Sequence, residues 1–300
     1  MSKREGSKMN FGLHQTFCMR QDWIYQGLRN FKKNNKLFLE NNTTIMDETG
    51  LGPNSVKSIK FWMESTGLMK EEKHRGVSYH KLTDFGDLIW SHDRLLDEYG
   101  TLWFMHYKLT ENREFATTWY WFFNKYKKTI FSKDIFIKDL IRDLKLNESK
   151  YTLPLRTLEA EYYCLVKTYV SENNRISDNF YCSLSKLNLL SFIQGSRGRL
   201  KKESLKKEIL HPLVFLAILI EKYIDGSECK YIRRIDLSNL SYNVKNIFNM
   251  DNQTINYYLE YLKESNYINI RQKESRKLIE LSHNIDSMDI LKKYYNQINL

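Results

Sequence analysis

Proline and glycine are scarce in this chain, which has three prolines and twelve glycines among 300 residues. Such low contents exclude a collagen-like chain and argue against a disordered one, because both kinds of chain are rich in these residues. With 42% apolar and 14% aromatic residues, the chain can bury a real core, and its length suggests two or three domains. We therefore predict a globular and mostly helical protein.

Close cysteine pairs and long apolar runs are also missing. Cys18, Cys164, Cys182 and Cys229 lie far apart, so they predict neither a zinc knuckle nor a redox motif. The most apolar run, Leu213 to Ile220, is too short to span a bilayer, and the polar N-terminal residues do not form a signal peptide. We expect a cytoplasmic protein with free thiols and no membrane partner.

Familiar catalytic and cofactor motifs are absent as well. The sequence has no GxxxxGK[ST] phosphate loop, no GxGxxG fingerprint, no HExxH motif and no GxSxG elbow. His14 has no carboxylate or nucleophile at a telling spacing, so a capped helix entry explains it better than a catalytic base. We expect a binding protein rather than an enzyme, with no catalytic residue, no metal site and no cofactor.

Positive charge is in excess and is unevenly distributed. The formal net charge is +11, of which residues 1–40 contribute +5 and residues 161–210 contribute +4. Basic clusters gain free energy by releasing counterions from phosphates, so these two zones are candidate surfaces for a polyanion. A general bias toward lysine, asparagine and isoleucine is the alternative explanation.

The stretch from Thr43 to Trp90 has the pattern of a winged helix-turn-helix. Thr43 or Thr44 can cap a short helix that ends at Gly50, since glycine tolerates the left-handed conformation of a C-terminal cap. Pro53 suits the first position of a second helix. A recognition helix for DNA is therefore expected after Pro53.

The predicted recognition helix has one apolar stripe, formed by Val56, Ile59 and Met63 at spacings of three and four. Its polar positions are expected to face away from the core and to enter the major groove of DNA. These positions are Asn54, Ser55, Lys57, Ser58 and Lys60.

A basic hairpin is predicted after this helix, with strands at residues 68–71 and 78–82 and a returning helix capped by Thr83. A hairpin beside a polar helix is the shape of a wing, and its cations are expected to hold phosphates. These cations are Lys73, Arg75 and Lys81. The alternative is a helix-turn-helix that only holds proteins together.

The middle of the chain is predicted to be a helical domain. The densest aromatic stretch, Trp103 to Tyr126, has helical spacings that indicate two packed helices, and stacking on unpaired bases is the alternative. Amphipathic helices are predicted at Ser132–Lys145 and Thr157–Val170. The run QGSRGRLKK then predicts a mobile loop that contacts the DNA backbone or forms a solvated turn. Its cations are Arg197, Arg199, Lys201 and Lys202.

A second winged unit is predicted from Ile232 to Ser282. Leu237, Leu240 and Val244 suggest an early helix, and Asp251 can cap the next one. Strands are predicted at residues 267–270 and 277–281, and the unit can bind DNA or pack against a partner. Its candidate DNA contacts are Asn252, Gln253, Asn256, Arg271, Lys273 and Arg276.

Together these patterns predict a mainly α protein with winged helix-turn-helix units at both ends joined by a helical middle domain. The expected boundaries are residues 1–92, 93–228 and 229–300.

Several long blocks resemble one known family. FGLHQTFCMRQDWIYQGL, LGPNSVKSIKFWMESTGL, LTDFGDLIW, YGTLWFMHYKL and ATTWYWFFN follow the order and spacing of the bacterial family catalogued as a domain of unknown function, number four thousand and seven. Pro53 departs from the residue that relatives often have in the turn. The family supplies no catalytic residues for transfer to this sequence.

The resemblance implies a particular gene neighbourhood, which we call the genomic company of the family. Family members lie beside genes resembling phosphoadenosine phosphosulfate reductases and cysteine desulfurases, in clusters for DNA phosphorothioate modification and phage defence. We therefore expect a DNA-binding accessory subunit of such a modification or restriction system, acting on duplex DNA. A winged-helix transcriptional regulator, or a scaffold for a sulfurtransferase, phosphosulfate-reductase-like or ATPase partner, is the alternative.

Overall fold

The structure is a computed structural model that describes residues 9–34, 38, 45–47, 50–147, 153–170, 182–225, 234–236, 244–273 and 276–298. Most of these residues are helical, and three small antiparallel sheets complete the fold, so the prediction of a mainly α chain is confirmed. No helix in the described ranges is both long and apolar enough to cross a membrane.

Ten helices of eight residues or more occur in the described part of the chain. They are α1 (Gln21–Lys33), α2 (Pro53–Ser65), α3 (Asp84–His92), α4 (Tyr99–Glu111), α5 (Thr117–Asn124), α6 (Lys133–Asn147), α7 (Leu155–Tyr169), α8 (Pro212–Ile220), α9 (Asn252–Glu264) and α10 (Ser287–Ile298).

Eight strands pair in the orders β1-β2, β3-β5-β4 and β6-β8-β7. The strands are β1 (Met69–His74), β2 (Val77–Leu82), β3 (Ile130–Phe131), β4 (Leu190–Phe192), β5 (Leu200–Lys202), β6 (Arg234–Asp236), β7 (Ile268–Lys273) and β8 (Arg276–Leu281).

Contacts divide the chain into two units. The first contains Met1–Asp97 and Lys108–Glu203, and the second contains Glu98–Tyr107 and Ser204–Leu300. This division follows contacts within the chain, and the three-domain organisation expected from the sequence stays a prediction.

In the first unit, α2 packs closely against α1. A Cβ atom on Gly27 would lie 2.6 Å from the Met63 sulfur and 2.8 Å from a methyl carbon of Ile59, so only glycine permits this approach. The indole of Trp62 meets that of Trp119 edge to face, with ring centroids 5.3 Å apart. The predicted apolar stripe of α2 is buried, as expected, and ties the helix to an aromatic core.

The aromatic stretch forms core in both units. Trp119 and Phe122 are almost fully buried in the first unit, and Trp103 is buried in the second. His106 is buried beside Trp103, its Nε2 lies 2.9 Å from the Ile247 carbonyl oxygen, and burial lowers its pKa to about 4. The stretch forms two helices, α4 and α5, as predicted, and these rings are buried rather than open to bases.

The strands β1 and β2 form a regular hairpin after α2. Met69 pairs with Leu82 and His74 pairs with Val77, which leaves only Arg75 and Gly76 in the turn, both at positive φ. The predicted strands are therefore correct but longer than expected, because Lys73 and His74 belong to β1.

The returning helix α3 starts where the sequence predicts. The Thr83 side chain accepts a hydrogen bond from the Gly86 amide at 3.0 Å, as an N-cap does. A Cβ atom on Gly86 would lie 2.0 Å from the Leu68 carbonyl oxygen. The first turn of α3 therefore touches the backbone between α2 and the hairpin, which only glycine allows.

The QGSRGRLKK run was predicted to be a loop, and it is one only in part: residues 194–199 lie in the connection of a β-hairpin, and Leu200–Lys202 form β5. Gly195 and Gly198 take positive φ in the connection, and β5 then pairs with both β3 and β4. Lys201 and Lys202 are strand residues, which the glycines and the basic charge of the run did not indicate.

The second unit contains the helix and hairpin that the sequence predicts near its end. Asp251 caps α9 by accepting from the Thr254 amide at 2.7 Å, and β7 pairs with β8. The strand β6, which the sequence did not predict, adds to the other edge of β8. The predicted features at Leu237 and Leu240, like the Thr43 and Thr44 caps, lie outside the described residues.

The two helix and hairpin arrangements repeat each other with constant spacing. The helices start at Pro53 and Asn252 and the first strands at Met69 and Ile268, so equivalent residues are 199 positions apart. We call residues 53–82 the first helix–hairpin and residues 252–281 the second helix–hairpin.

Candidate nucleic-acid interface

The polar positions of α2 divide into exposed and buried ones. Asn54 and Lys57 are exposed, whereas Ser55 and Lys60 are partly covered. Ser58 is 0% exposed, so the expectation that it faces DNA is wrong. The reason is that α2 packs on more than its apolar stripe and also buries the face that carries Ser58.

The hairpin presents two exposed cations. Lys73 lies at the end of β1, and Arg75 occupies the turn with φ of 51°. Neither side chain forms an ion pair with a described residue, and the same holds for Lys57. Lys57 and Arg75 therefore remain available for phosphates, and Lys73 does so while also interacting electrostatically with Glu71.

Lys81, by contrast, is committed to an ion pair on the outer face of the hairpin. Its Nζ lies 2.7 Å from the Glu72 carboxylate, which also receives Lys70 at 2.8 Å and the Tyr79 hydroxyl at 2.6 Å. Hydrogen bonds from Lys70, Lys81 and Tyr79 lower the pKa of Glu72 to about 2. Glu72 thus offsets the positive charge of Lys81, which was predicted from the sequence to hold a phosphate.

The basic run of the first unit also changes character in the structure. Arg197 and Arg199 are exposed, as expected, and Lys201 is exposed but lies 2.9 Å from a Glu203 carboxylate oxygen. Lys202 instead points inward, so its prediction as a DNA contact is wrong.

The Lys202 amine closes the end of α5. It donates to the carbonyl oxygens of Phe122 at 2.9 Å and Tyr126 at 2.8 Å, and it lies 4.3 Å from the centroid of the Phe122 ring. Burial lowers the pKa of this amine to about 7. Its role is structural, because the terminal carbonyls of a helix need donors.

The second helix–hairpin exposes amides and aromatic rings. The predicted contacts Asn252, Gln253 and Asn256 are exposed. Tyr257 and Tyr261 are 43% and 41% exposed on the same helix. Two exposed tyrosines therefore join the predicted amides on α9.

The predicted basic loop of this hairpin is partly described. Arg271 lies 3.0 Å from a carboxylate oxygen of Glu280 on the neighbouring strand, so its charge is offset. The side chains of Lys273 and Arg276 lie outside the described structure, although their backbones pair in register.

His14 has a carboxylate partner that sequence spacing did not reveal. Its Nε2 lies 3.2 Å from Glu161 Oε1, and both side chains are almost fully buried. Burial raises the pKa of Glu161, but His14 and hydrogen bonds from Thr118 and Gly12 outweigh that effect and lower it. His14 Nδ1 accepts from the Thr16 amide, so the ring closes a local turn while pairing with α7.

The described residues define a class of protein: a mostly helical chain with two repeated helix–hairpins, of which the first displays unpaired cations. The chain belongs to the family described as "Protein of unknown function (DUF4007)", which matches residues 11–295. The family resemblance seen in the sequence is thereby confirmed. No curated protein matches the chain.

Solved structures share the fold. Two of them, titled "SspB crystal structure" and "Magnesium ion-bound SspB crystal structure", each align with a TM-score of 0.79 and 18% sequence identity. Each alignment covers 97% of this chain and 89% of the solved one. At this level of identity the likeness concerns the fold.

Proposed function

We propose that both helix–hairpins are winged helix-turn-helix units and that the first one binds duplex DNA. The observation that carries the proposal is the set of exposed, unpaired side chains on α2 and its hairpin. An α-helix fits the major groove, where amides and cations reach base edges, while hairpin cations hold the adjacent phosphates. The set consists of Asn54, Lys57, Lys73 and Arg75.

The role we propose is that of an accessory subunit in bacterial DNA phosphorothioate modification or restriction. Two facts support it, the family membership and the fold shared with SspB, and the genomic company that the family resemblance implies agrees with it. In this role the chain delivers or retains other subunits on DNA and performs no catalytic step itself. Its partners would be phosphosulfate-reductase-like or ATPase proteins.

Salt-dependent binding to a fluorescent DNA duplex tests the DNA contact. Each lost phosphate contact should reduce the slope of log affinity against log salt by about 1, so Lys57→Ala and Arg75→Ala should both flatten it. Lys70→Ala is the matched control, because Lys70 lies on the same hairpin but pairs with Glu72. Equal slopes for all four proteins would place the DNA contact elsewhere.

A protein-binding role for the second helix–hairpin is favoured by its surface. The exposed rings of Tyr257 and Tyr261 and the offset charge of Arg271 suit a protein partner better than phosphates. We expect a partner encoded in the same operon to copurify with the chain in the absence of DNA. The double substitution Tyr257→Ala and Tyr261→Ala should abolish this copurification. A palindromic footprint and a stable dimer would instead indicate a transcriptional regulator.

A nuclease is the competing enzyme class, since one structural neighbour is titled as magnesium-bound. Supercoiled plasmid incubated with the protein and Mg²⁺ should stay supercoiled if the chain is an accessory subunit. Nicking that copurifies with the protein through several columns would replace the accessory role with a catalytic one.

A further inference from the structure

Two carboxylates and one imidazole meet between α2 and the hairpin. Glu71 and His80 are directly opposite each other in the β1–β2 pairing, and Glu64 comes from the last turn of α2. His80 Nε2 lies 3.2 Å from Glu64 Oε1 and 4.0 Å from Glu71 Oε2, and one donor atom from each residue lies within 4.8 Å of the others. We call these three residues the Glu64–Glu71–His80 cluster.

The buried members of the cluster have unmet hydrogen-bonding capacity. The His80 side chain is 2% exposed, and within the described chain its Nδ1 has no hydrogen-bond partner. Its Nε2 and Oε1 of Glu64, whose side chain is 7% exposed, lie 3.2 Å apart as an ion pair but without hydrogen-bond geometry. Burying polar atoms in this state is costly, so the arrangement indicates a ligand that would satisfy them.

The second helix–hairpin shows that packing alone does not call for these residues. At the positions equivalent to Glu64, Glu71 and His80 it has Lys263, Ile270 and Ile279. Ile279 is buried, so an aliphatic side chain fills the site that His80 occupies in the first helix–hairpin.

We propose that the Glu64–Glu71–His80 cluster binds one divalent transition metal of the Zn²⁺ class. Two donors on a tetrahedral Zn²⁺ at about 2.0–2.1 Å are about 3.3 Å apart, close to the His80–Glu64 separation. Glu71, whose side chain is 38% exposed, closes the remaining distance by rotating toward the ion. The imidazole distinguishes this site from one for Mg²⁺, which prefers oxygen ligands.

The bound ion would join three elements at one point. Its ligands come from α2, β1 and β2, so it would fix the hairpin, and with it Arg75, relative to the helix that carries Lys57. Three protein ligands leave a fourth position for water on the exposed Glu71 side. The site does not depend on DNA binding, because it is argued from the cluster alone.

Two local cations compete with the metal for the carboxylates. Lys60 and Lys73 both lower the pKa of Glu71, after the larger effect of a hydrogen bond from Ser78. An ion pair between His80 and Glu64 without metal is the alternative. Only metal binding predicts a saturable, stoichiometric uptake of Zn²⁺.

Zinc titration of the untagged full-length chain tests the proposal. Competition with a chromophoric chelator should show one Zn²⁺ per chain, with binding at least about tenfold weaker in Glu71→Gln and His80→Gln, since even outer partners of a ligand are worth 10–100-fold. Zn²⁺ should also raise the unfolding midpoint of the parent, whereas equal Mg²⁺ should raise it far less. His74→Ala, an exposed histidine on the same hairpin, is the matched control and should bind like the parent.

The outcome that overturns the proposal is equally specific. Zinc uptake that is absent from the parent, or that survives both ligand substitutions and falls in His74→Ala, would leave the cluster as an ion pair. If His80→Gln fails to fold, Glu71→Gln decides the question, because Glu71 is exposed and its loss leaves the core intact. None of these readouts involves DNA, so failure here leaves the proposed function standing.

Discussion

The two helix–hairpins share one backbone and carry different chemistry. In the first, the turn after α2 contains Gly67 with φ of 75°, and in the second, the turn after α9 contains Asn266 with φ of 58°. Each of these residues donates its amide to a carbonyl three positions earlier, and the following residue donates to one five positions earlier. The same connection is thus built once with glycine and once with asparagine, the two residues that tolerate left-handed backbone best.

A comparison of the two helix–hairpins separates the positions that specify the shared fold from those that can vary with function. Apolar residues occupy equivalent buried sites in both, such as Val56 and Ile255 or Met69 and Ile268. Other equivalent positions differ in chemistry: the first has the exposed Lys57 and the buried His80 where the second has Asn256 and Ile279. DNA and metal binding, as proposed above, would use side chains that the first helix–hairpin has and the second lacks at the equivalent positions.

Exchanging His80 and Ile279, the equivalent buried residues of the two helix–hairpins, should have the largest effect on the free energy of unfolding. Ile279→His should lower the free energy of unfolding by about 3 kcal/mol, because it loses apolar burial and strands an imidazole in an apolar site. His80→Ile, in metal-free protein, should cost less than Ile279→His, because the gain in apolar burial offsets part of the loss of the ion pair with Glu64. Denaturant midpoints of both variants measure this, and similar losses in the two would contradict the assigned difference.

Removing polar side chains from each helix–hairpin should lower the affinity for duplex DNA more in the first than in the second. Lys57→Ala combined with Arg75→Ala should weaken duplex binding about tenfold near 0.1 M salt, since two phosphate contacts are lost. Gln253→Ala combined with Asn256→Ala should weaken it less than about threefold, since neutral amides release no counterions. Equal losses, measured by fluorescence anisotropy, would mean that both regions bind DNA.

The contrast also shows how far sequence patterns reach. The caps at Thr83 and Asp251 and the stripe of α2 were predictable because they depend on residues within a few positions. Ser58 and Lys202 were misassigned because tertiary packing decides whether a polar residue is buried.

The Glu64–Glu71–His80 cluster could not be predicted for a related reason. Glu71 faces His80 only in the observed register, which requires the two-residue turn at Arg75 and Gly76. Glu64 joins them only because the end of α2 packs against the hairpin. No fixed motif spacing encodes a cluster whose residues come from three elements. The repeat spacing of 199 residues between Pro53 and Asn252 could be recognised only after both helices were located.

The helix N-termini offer a smaller test of the same comparison. Gly52 caps α2 without a side-chain bond, at an ordinary φ of −66° and with open space around a Cβ atom. Gly52→Ser should therefore stabilise the chain by about 0.3 kcal/mol and leave DNA binding unchanged. Gly52→Asp should cap as well but weaken DNA binding about threefold, because its charge repels phosphates near the groove. Equal affinities for the two variants would show that this end of α2 does not approach DNA.

The smallest expected effect is the pH dependence that the cap of α9 contributes. The Thr254 backbone amide and hydroxyl hold the pKa of Asp251 below its usual value of 3.8. A carboxyl whose folded pKa is depressed stabilises the protein above pH 3.8, and that contribution is lost as the pH falls through the lower folded value. Asp251→Asn keeps a cap without a titrating group, so parent and variant should differ in melting temperature only above this range and converge in acid. Gly52→Asp should give α2 the same loss of stability in acid, and Gly52→Ser should not. If the parent matches Asp251→Asn in melting temperature at every pH, the Asp251 cap acts without its charge.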